Sequence, residues 1–304
     1  MDYRLECIPF AKYMEQEGNT SMKPGSGLVP DFAHPLDTGI IKVLDNLALK
    51  NAFSSVINLA TDAQYGLMLA SGIRVDQNDP VISEILRRCG DTLHINVPYT
   101  IVSSSVSGIN AITVGTGDFV FIAISSLLKA VMSDDQLAFV LGHECGHIAV
   151  GHIVYHTVLN TARLLTEMIP LIGPKLYNAT SLPLKAWSRR SEISADRAGL
   201  LCCGDLDVAC RTLLQIEAGI MNMDDFDLAA YIRDANQMLR RTAIGRFSEL
   251  TQTHPLLVKR IEALCLFGAS EKYYRLSGKT APARTRLLSD SELEHRTEEI
   301  LRVS

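Results

Sequence analysis

The 304-residue sequence has no excess of basic residues, no long run of one charge and no internal repeat. Its 29 lysines and arginines are outnumbered by 34 aspartates and glutamates, which gives a net charge of −5. Because a surface that neutralises phosphates must be basic, a general nucleic-acid-binding function is excluded. The missing repeat excludes repeat arrays, and an apolar content of 47% excludes disorder over the whole length.

A long apolar segment is also missing. The longest stretch without a charged residue lies between Asp91 and Asp118, and it is interrupted by Asn96, Pro98 and several serines. This texture is typical of strands and turns, so we expect no transmembrane span. The N-terminus carries acidic residues where a signal peptide would carry basic ones followed by an apolar core, so we do not expect secretion.

Cysteine is present, but not in the spacing of a structural site. The seven cysteines include no C-x-x-C pair. An odd number without such a pair favours neither a disulfide framework nor a thiolate zinc site. We therefore expect reduced cysteines and a cytoplasmic location.

The length favours one large domain with short appendages. Glycines and prolines are frequent in residues 1–36, which predicts an extended leader. We expect the domain to cover residues 37–268, with an N-terminal helical layer over 37–92 and a second part over 93–268 that carries the motifs described below. Residues 269–304 are a charged C-terminal tail with one short helix.

Apolar periodicity predicts an α+β fold that is mostly helical. Segments rich in β-branched residues between Leu93 and Ile124 predict a small, mostly antiparallel sheet. Ser133, followed three residues later by Gln136, fits a capping box at the start of a long helix that continues towards about Leu159. After a proline-rich connection, helical patterns resume at about residues 188–203, 206–221, 227–239 and 255–267.

The long helix contains the motif His143-Glu144-Cys145-Gly146-His147. Residues i and i+4 of a helix share one face, so both imidazoles can reach one zinc ion while Glu144 points to the open side of the metal. This arrangement suits metal-assisted hydrolysis. The alternative is a helix with two ordinary histidines. A thiol protease with Cys145 as nucleophile is rejected, because Cys145 and His147 point in nearly opposite directions from the helix.

A zinc site needs a third protein ligand. The metzincin spacing would require glycine at 150 and histidine at 153, where the chain has Val150 and Ile153. The gluzincin pattern requires a glutamate on a later helix, and Glu192 supplies it. Asp196 follows one turn later on the same face, where it can accept a hydrogen bond from a ligand histidine.

The chain resembles the zinc metallopeptidase family of HtpX and the CAAX prenyl endopeptidase over about residues 75–268. Four segments carry the resemblance in the family's order: Asn110-Ala111, Ser133 to His147 with His152, Ser188 to Gly199, and Thr253-His254-Pro255 with Arg260-Ile261. The resemblance implies a zincin-like domain with one zinc ion per chain. The best-known members are integral membrane enzymes, so their membrane substrates are not transferred here, and peripheral contact with a membrane stays open.

The resemblance also implies roles in substrate binding. Asn110 and Ala111 resemble residues that contact the substrate backbone, and the alternative is a turn asparagine beside a strand. In gluzincins a substrate pairs with an edge strand before the active-site helix, and here Phe119 and Val120 begin the strand in that place. His254 is the candidate donor to the oxyanion, because the zinc-site residues are otherwise engaged, and the alternative is a histidine that makes a structural hydrogen bond at a corner before a helix.

These observations predict a soluble zinc endopeptidase that acts on peptides or unfolded proteins. His143, His147 and Glu192 would hold the metal, and Glu144 would act as general base. One alternative is a catalytically silent module, braced by zinc, that binds partners or works like a chaperone. Another is a zinc hydrolase of non-peptide amides, against which the edge strand and Asn110 weigh.

Overall fold

A computed structural model of the chain describes residues 30–37, 66, 68, 70–75, 78–115, 120–153, 155–156, 173–221, 223, 226–241 and 255–302, and of these it describes only the backbone at 173–183, 236 and 239–241. Two of the predicted site residues, Phe119 and His254, lie outside the described residues, as do most of the leader and most of residues 37–70.

A four-stranded sheet lies beside the helices, with strands β1 (Gly72–Arg74), β2 (Tyr99–Ser103), β3 (Ala111–Gly115) and β4 (Val120–Ile124) in the spatial order β1-β2-β4-β3. β1 pairs with β2 and β3 with β4 in antiparallel fashion, whereas β2 and β4 are parallel, with Thr100 opposite Ile122. The predicted small sheet is therefore present, but it is mixed. The α+β class, mostly helical, is confirmed.

One face of the sheet packs on the main hydrophobic core, which contains Ile122 and Ile124 of β4. The other face carries a smaller cluster that includes Tyr99, Ile101 and Phe121. Because both faces of β4 are covered, its sequence is a continuous apolar run from Val120 to Ile124.

Two helices that line the main core lie next to strands along the chain, one between β1 and β2 and one after β4. Helix α1 (Pro80–Leu93) begins where the sequence predicts it, with the Asp79 side chain capping its first turn and Pro80 at the start. A short helix, α2 (Ser126–Val131), leads from β4 towards the site. It had no counterpart in the sequence prediction, because one and a half turns are too short to show a helical period.

Helix α3 (Asp134–Val150) carries the H-E-x-x-H motif, and its Ser133/Gln136 capping box is confirmed. The helix ends well before the predicted Leu159. Gly151 has a φ of 84°, a left-handed conformation that glycine adopts without a steric penalty, and its N–H caps the helix. The chain turns there, and His152 donates its backbone N–H to the His147 carbonyl.

Helix α4 (Gly173–Cys203) carries Glu192 and packs along α3. It begins at Gly173 rather than near Ser188, so the proline-rich connection is shorter than the sequence predicts. Pro174 lies in the first turn, where a helix loses no hydrogen bond to a missing N–H. Pro174 therefore indicates the beginning of a helix here, whereas the sequence pattern predicts a loop.

The remaining helices surround α3 and α4. They are α5 (Leu206–Ala218), α6 (Leu228–Arg241), α7 (Leu257–Gly268), α8 (Glu271–Ser277) and α9 (Asp290–Leu301). Helix α9, in the charged tail, packs with Leu293 and Thr297 fully buried, and Glu294 forms a 3.0 Å ion pair with buried Arg197 of α4. Among the described helices, none is both long enough and apolar enough to cross a membrane.

Candidate metal centre

Three side chains converge between α3 and α4. His143 and His147 lie one turn apart on α3, and their Nε2 atoms are 3.1 Å apart. The carboxylate of Glu192 on α4 lies 3.6 Å from His143 Nε2 and 3.5 Å from His147 Nε2. A tetrahedral zinc ion with bonds of about 2.0–2.2 Å needs its ligand atoms about 3.3–3.6 Å apart. Imidazole and carboxylate are ligands that zinc binds, and the distances from His143 Nε2 to Oε2 and from His147 Nε2 to Oε1 of Glu192 match this spacing. The 3.1 Å between the two Nε2 atoms is about 0.2 Å shorter than the tetrahedral spacing.

The close contact between α3 and α4 brings Glu192 to the histidines. At Gly146, inside the motif, an added Cβ would lie 2.6 Å from the Ala198 Cβ and 3.1 Å from the Ala195 Cα. Real Cβ atoms do not approach so closely, so only glycine permits this distance between the helices. The close packing of α3 on α4 therefore explains why glycine occupies position 146 of the motif.

His143 is oriented by a buried ion pair. Its Nδ1 lies 2.9 Å from Asp196 Oδ1, and Arg260 of α7 donates to both oxygens of Asp196, at 2.7 and 2.9 Å. Burial alone would raise the pKa of Asp196, but the charge and hydrogen bonds of Arg260 and the bond to His143 lower it. An ionised Asp196 accepts from His143 Nδ1–H, which leaves Nε2 free to bind a metal. The structure thus places Asp196 where the sequence predicts it.

His147 has a different partner on its outer side. Its Nδ1 lies 2.8 Å from Nδ1 of His152, which is fully buried. Burial strongly lowers the pKa of His147, with the neighbouring His143, His152 and His156 acting in the same direction against Glu192. His147 is therefore a neutral imidazole, the form that binds metal ions. The prediction that His152 is a buried, hydrogen-bonded histidine agrees with this geometry.

Glu144 is buried between α3 and the sheet. Its Oε2 accepts a hydrogen bond from the hydroxyl of Thr113 on β3. Burial raises the pKa of Glu144 above the usual range of a glutamate, although the charge of His143 and the hydrogen bond from Thr113 oppose this effect. A carboxylate with a raised pKa is a better proton acceptor near neutral pH than an ordinary one.

The prediction that the substrate pairs with the strand beginning at Phe119 and Val120 is wrong in one respect. β4, which Val120 begins, lies between β2 and β3 and is paired on both sides, so it is not an edge strand. Among the described strands, β1 and β3 lie at the two edges of the sheet, and β3, which begins at Ala111, contacts Glu144 through Thr113. The sequence could not distinguish the two, because both segments have the length and β-branched composition of strands.

Asn110 lies directly before β3 and is exposed. Its backbone carbonyl accepts from the N–H of Ser125 at 3.0 Å, which joins the start of β3 to the end of β4. Asn110 therefore precedes, and buried Ala111 begins, the strand whose Thr113 contacts Glu144. A role in substrate binding stays a prediction.

Sequence reasoning missed Asp37 and Trp187. Asp37 is fully buried and lies 2.8 Å from His152 Nε2, while the indole N–H of Trp187 donates to its other oxygen. Asp37 is distant from the motif in sequence, and no local spacing pattern points to it. The signal that could have raised the question is His152, a polar residue in an apolar segment that must find a partner when buried.

Comparison with known proteins agrees with the site. The model of Peptidase family M48 matches residues 76–265, which is more than half of the chain. The plastoglobule-localized metallopeptidase 48, chloroplastic, of Arabidopsis thaliana is 26% identical over 257 residues, covering 81% of this chain and 74% of that protein. No solved structure matches the chain. The resemblance stated from the sequence is confirmed, and the chain belongs to Peptidase family M48, whose members are metallopeptidases.

Proposed function

We propose that the protein is a zinc-dependent endopeptidase. The observation that carries this proposal is the set of three donors, His143, His147 and Glu192, at the spacing of a tetrahedral zinc ion and with Glu144 beside them. Two imidazoles and one carboxylate would leave a fourth position for water or substrate, as catalytic zinc sites require. Family membership supports a metallopeptidase, and the donor chemistry supports zinc as its metal.

A zinc ion bound there would supply a Lewis acid that lowers the pKa of water towards about 7. In our proposal, Glu144 accepts the proton that the attacking water loses and then passes it to the leaving amine. Thr113 holds the carboxylate of Glu144 by its hydrogen bond, and burial keeps its pKa suited to this exchange. His254, outside the described residues, stays our candidate for the donor to the oxyanion.

We further propose that the substrate is a peptide or an unfolded protein that pairs with β3. An edge strand binds an extended chain through backbone hydrogen bonds, and these tolerate many sequences. β3 ends the sheet on one side, and Thr113 connects it to Glu144, so an added strand would lie beside the metal centre. Asn110 and Ala111, at the start of β3, would contact the substrate backbone.

The cytoplasm is our proposal for the location. The described cysteines are free thiols, and four of them, Cys89, Cys145, Cys202 and Cys210, are buried. Free thiols persist in a reducing compartment. If this is right, a thiol reagent added to the unfolded protein from gently lysed cells should react with these cysteines, because none of them is oxidised.

Replacement of Glu144 by glutamine tests the proposed function. Glutamine keeps the shape of the side chain but cannot accept the proton, so Glu144→Gln should retain zinc and lose cleavage of an unfolded protein such as casein. Zinc content and casein cleavage are measured for both proteins, with and without a chelator. Undiminished cleavage by Glu144→Gln would contradict the general-base role. A zinc-loaded wild type without activity would favour the zinc-braced binding module.

A further inference from the structure

A segment outside the family match contacts the metal centre through His152, on the Nδ1 side of His147. Residues 30–37 lie N-terminal to the matched residues 76–265, yet Asp37 is fully buried under His152. Asp37 Oδ2 is 2.8 Å from His152 Nε2 and accepts a 2.6 Å hydrogen bond from the Ser194 hydroxyl, while Oδ1 accepts from Trp187 Nε1 at 2.8 Å. His152 in turn touches the inner histidine, with 2.8 Å between its Nδ1 and that of His147.

Asp37, His152 and His147 form a row of hydrogen bonds, and its donors and acceptors can be assigned starting from Asp37. The Trp187 indole N–H and the Ser194 hydroxyl both donate to the Asp37 carboxylate, so this group is the acceptor of the contact with His152 as well. A neutral His152 then carries its proton on Nε2, which leaves its Nδ1 as an acceptor. His147 must donate to that acceptor from its own Nδ1, so its Nε2 lone pair is exposed towards His143 and Glu192.

We propose that Asp37, acting through His152, is a positioning residue that fixes His147 in its metal-binding tautomer. The inference rests on the proposed zinc site. It adds to that proposal a set of hydrogen-bonded residues that orients His147. Asp196 orients His143 directly, whereas His147 is oriented through two hydrogen bonds that end on the N-terminal segment. The N-terminal segment is therefore part of the metal centre although the family match does not include it.

Replacement of Asp37 by asparagine reverses the row of hydrogen bonds. Trp187 can only donate, so the amide oxygen of the new side chain must face it, and the amide NH₂ then faces His152 Nε2. His152 would have to accept there and move its proton to Nδ1, and His147 would have to move its proton to Nε2. In the opposite orientation two donors would face each other at Trp187, at the cost of an unsatisfied buried group.

Two measurements test the proposal. Long-range proton–nitrogen NMR spectra of zinc-free, histidine-labelled full-length protein report which ring nitrogens are protonated. We expect His147 protonated at Nδ1 and His152 at Nε2 in the wild type, with both reversed in Asp37→Asn. Zinc affinity, from competition with a chromophoric chelator, should fall roughly 10- to 100-fold in Asp37→Asn, as for other outer partners of metal ligands.

Ser194→Ala is the matched control. It removes the hydrogen bond to the same carboxylate oxygen and the acceptor of the His34 backbone N–H, but leaves the bond from His152, so zinc affinity should stay within about threefold of the wild type and the tautomers should not change. An equal loss in both variants, or no loss in Asp37→Asn, would overturn the proposal. If Asp37→Asn does not fold, the wild-type spectrum decides, because His147 protonated at Nε2 is incompatible with the proposed row. A wild type that binds no zinc would refute the proposed function, while the spectra would still test the row.

Discussion

The close contact of α3 and α4 at Gly146 is open to a direct test by the substitution Gly146→Ala. The new Cβ would lie 2.6 Å from the Ala198 Cβ, about 1 Å closer than the 3.5–4.0 Å at which carbon atoms attract each other. The nearest atoms belong to an alanine side chain and to backbone, so no flexible side chain can move away. The two helices must therefore separate by up to about 1 Å.

This separation has two consequences. Overpacking of a helix interface costs about 1–3 kcal/mol, and the higher helix propensity of alanine returns about 0.5–1 kcal/mol, so the net loss of stability should be about 0–2.5 kcal/mol. The distance from Glu192 to His147 Nε2, which is 3.5 Å in the wild type, would rise to at most about 4.5 Å, beyond the spacing of about 3.3–3.6 Å in a tetrahedral site. We therefore expect zinc affinity to fall by about tenfold or more.

Urea unfolding of the zinc-free protein gives the stability change without a contribution from metal binding. A chelator competition then gives the zinc affinity. Gly66→Ala is the control, because an added Cβ at Gly66 meets no atom of the described residues within 4 Å, so this variant should be unchanged or stabilised by up to about 1 kcal/mol. A Gly146→Ala protein with the stability and zinc affinity of the wild type would refute the argument.

Two further predictions concern carboxylates that are paired with buried arginines. Asp196→Asn should weaken zinc binding by roughly 10- to 100-fold in the same chelator competition, because His143 loses an ionised acceptor, and unchanged affinity would count against the orienting role. Glu294→Gln should lower the free energy of unfolding by about 1.5–3 kcal/mol at pH 7, since Arg197 loses its charged partner. Burial would raise the pKa of Glu294, but Arg197 and Lys272 lower it, so its contribution is complete above the unfolded pKa of about 4.3 and is lost as pH falls below that value. A difference between Glu294→Gln and the wild type that persists undiminished at pH 2–3 would contradict this assignment.

Features encoded by neighbouring residues could be predicted from the sequence. The Ser133/Gln136 capping box and the Asp79-Pro80 helix start depend on side chains within one turn, and both are present. The end of α3 at Gly151 was missed, because an isolated glycine inside an apolar helical pattern has no local feature that distinguishes a cap from an interior position. The order of strands in the sheet depends on tertiary packing and was also missed.

In the metal centre, too, contacts between residues close in sequence could be predicted from spacing alone, and contacts set by tertiary packing could not. His143 and His147 are brought together by helical spacing alone, so the motif predicts their contact. Glu192 and Asp196 required knowledge of a pattern on a later helix, and the structure brings both to the histidines. Asp37 could not be inferred, because its contact with His152 joins residues 115 positions apart and is set only by folding of the whole domain.

X-ray diffraction from crystals of the zinc-loaded protein, recorded on both sides of the zinc absorption edge, tests the central claim most directly. The account predicts one anomalous peak per chain within about 2.0–2.2 Å of His143 Nε2, His147 Nε2 and a carboxylate oxygen of Glu192. The peak should disappear below the edge, which distinguishes zinc from another metal. A zinc peak at other residues, or no peak between α3 and α4 in crystals grown with zinc, would contradict the account.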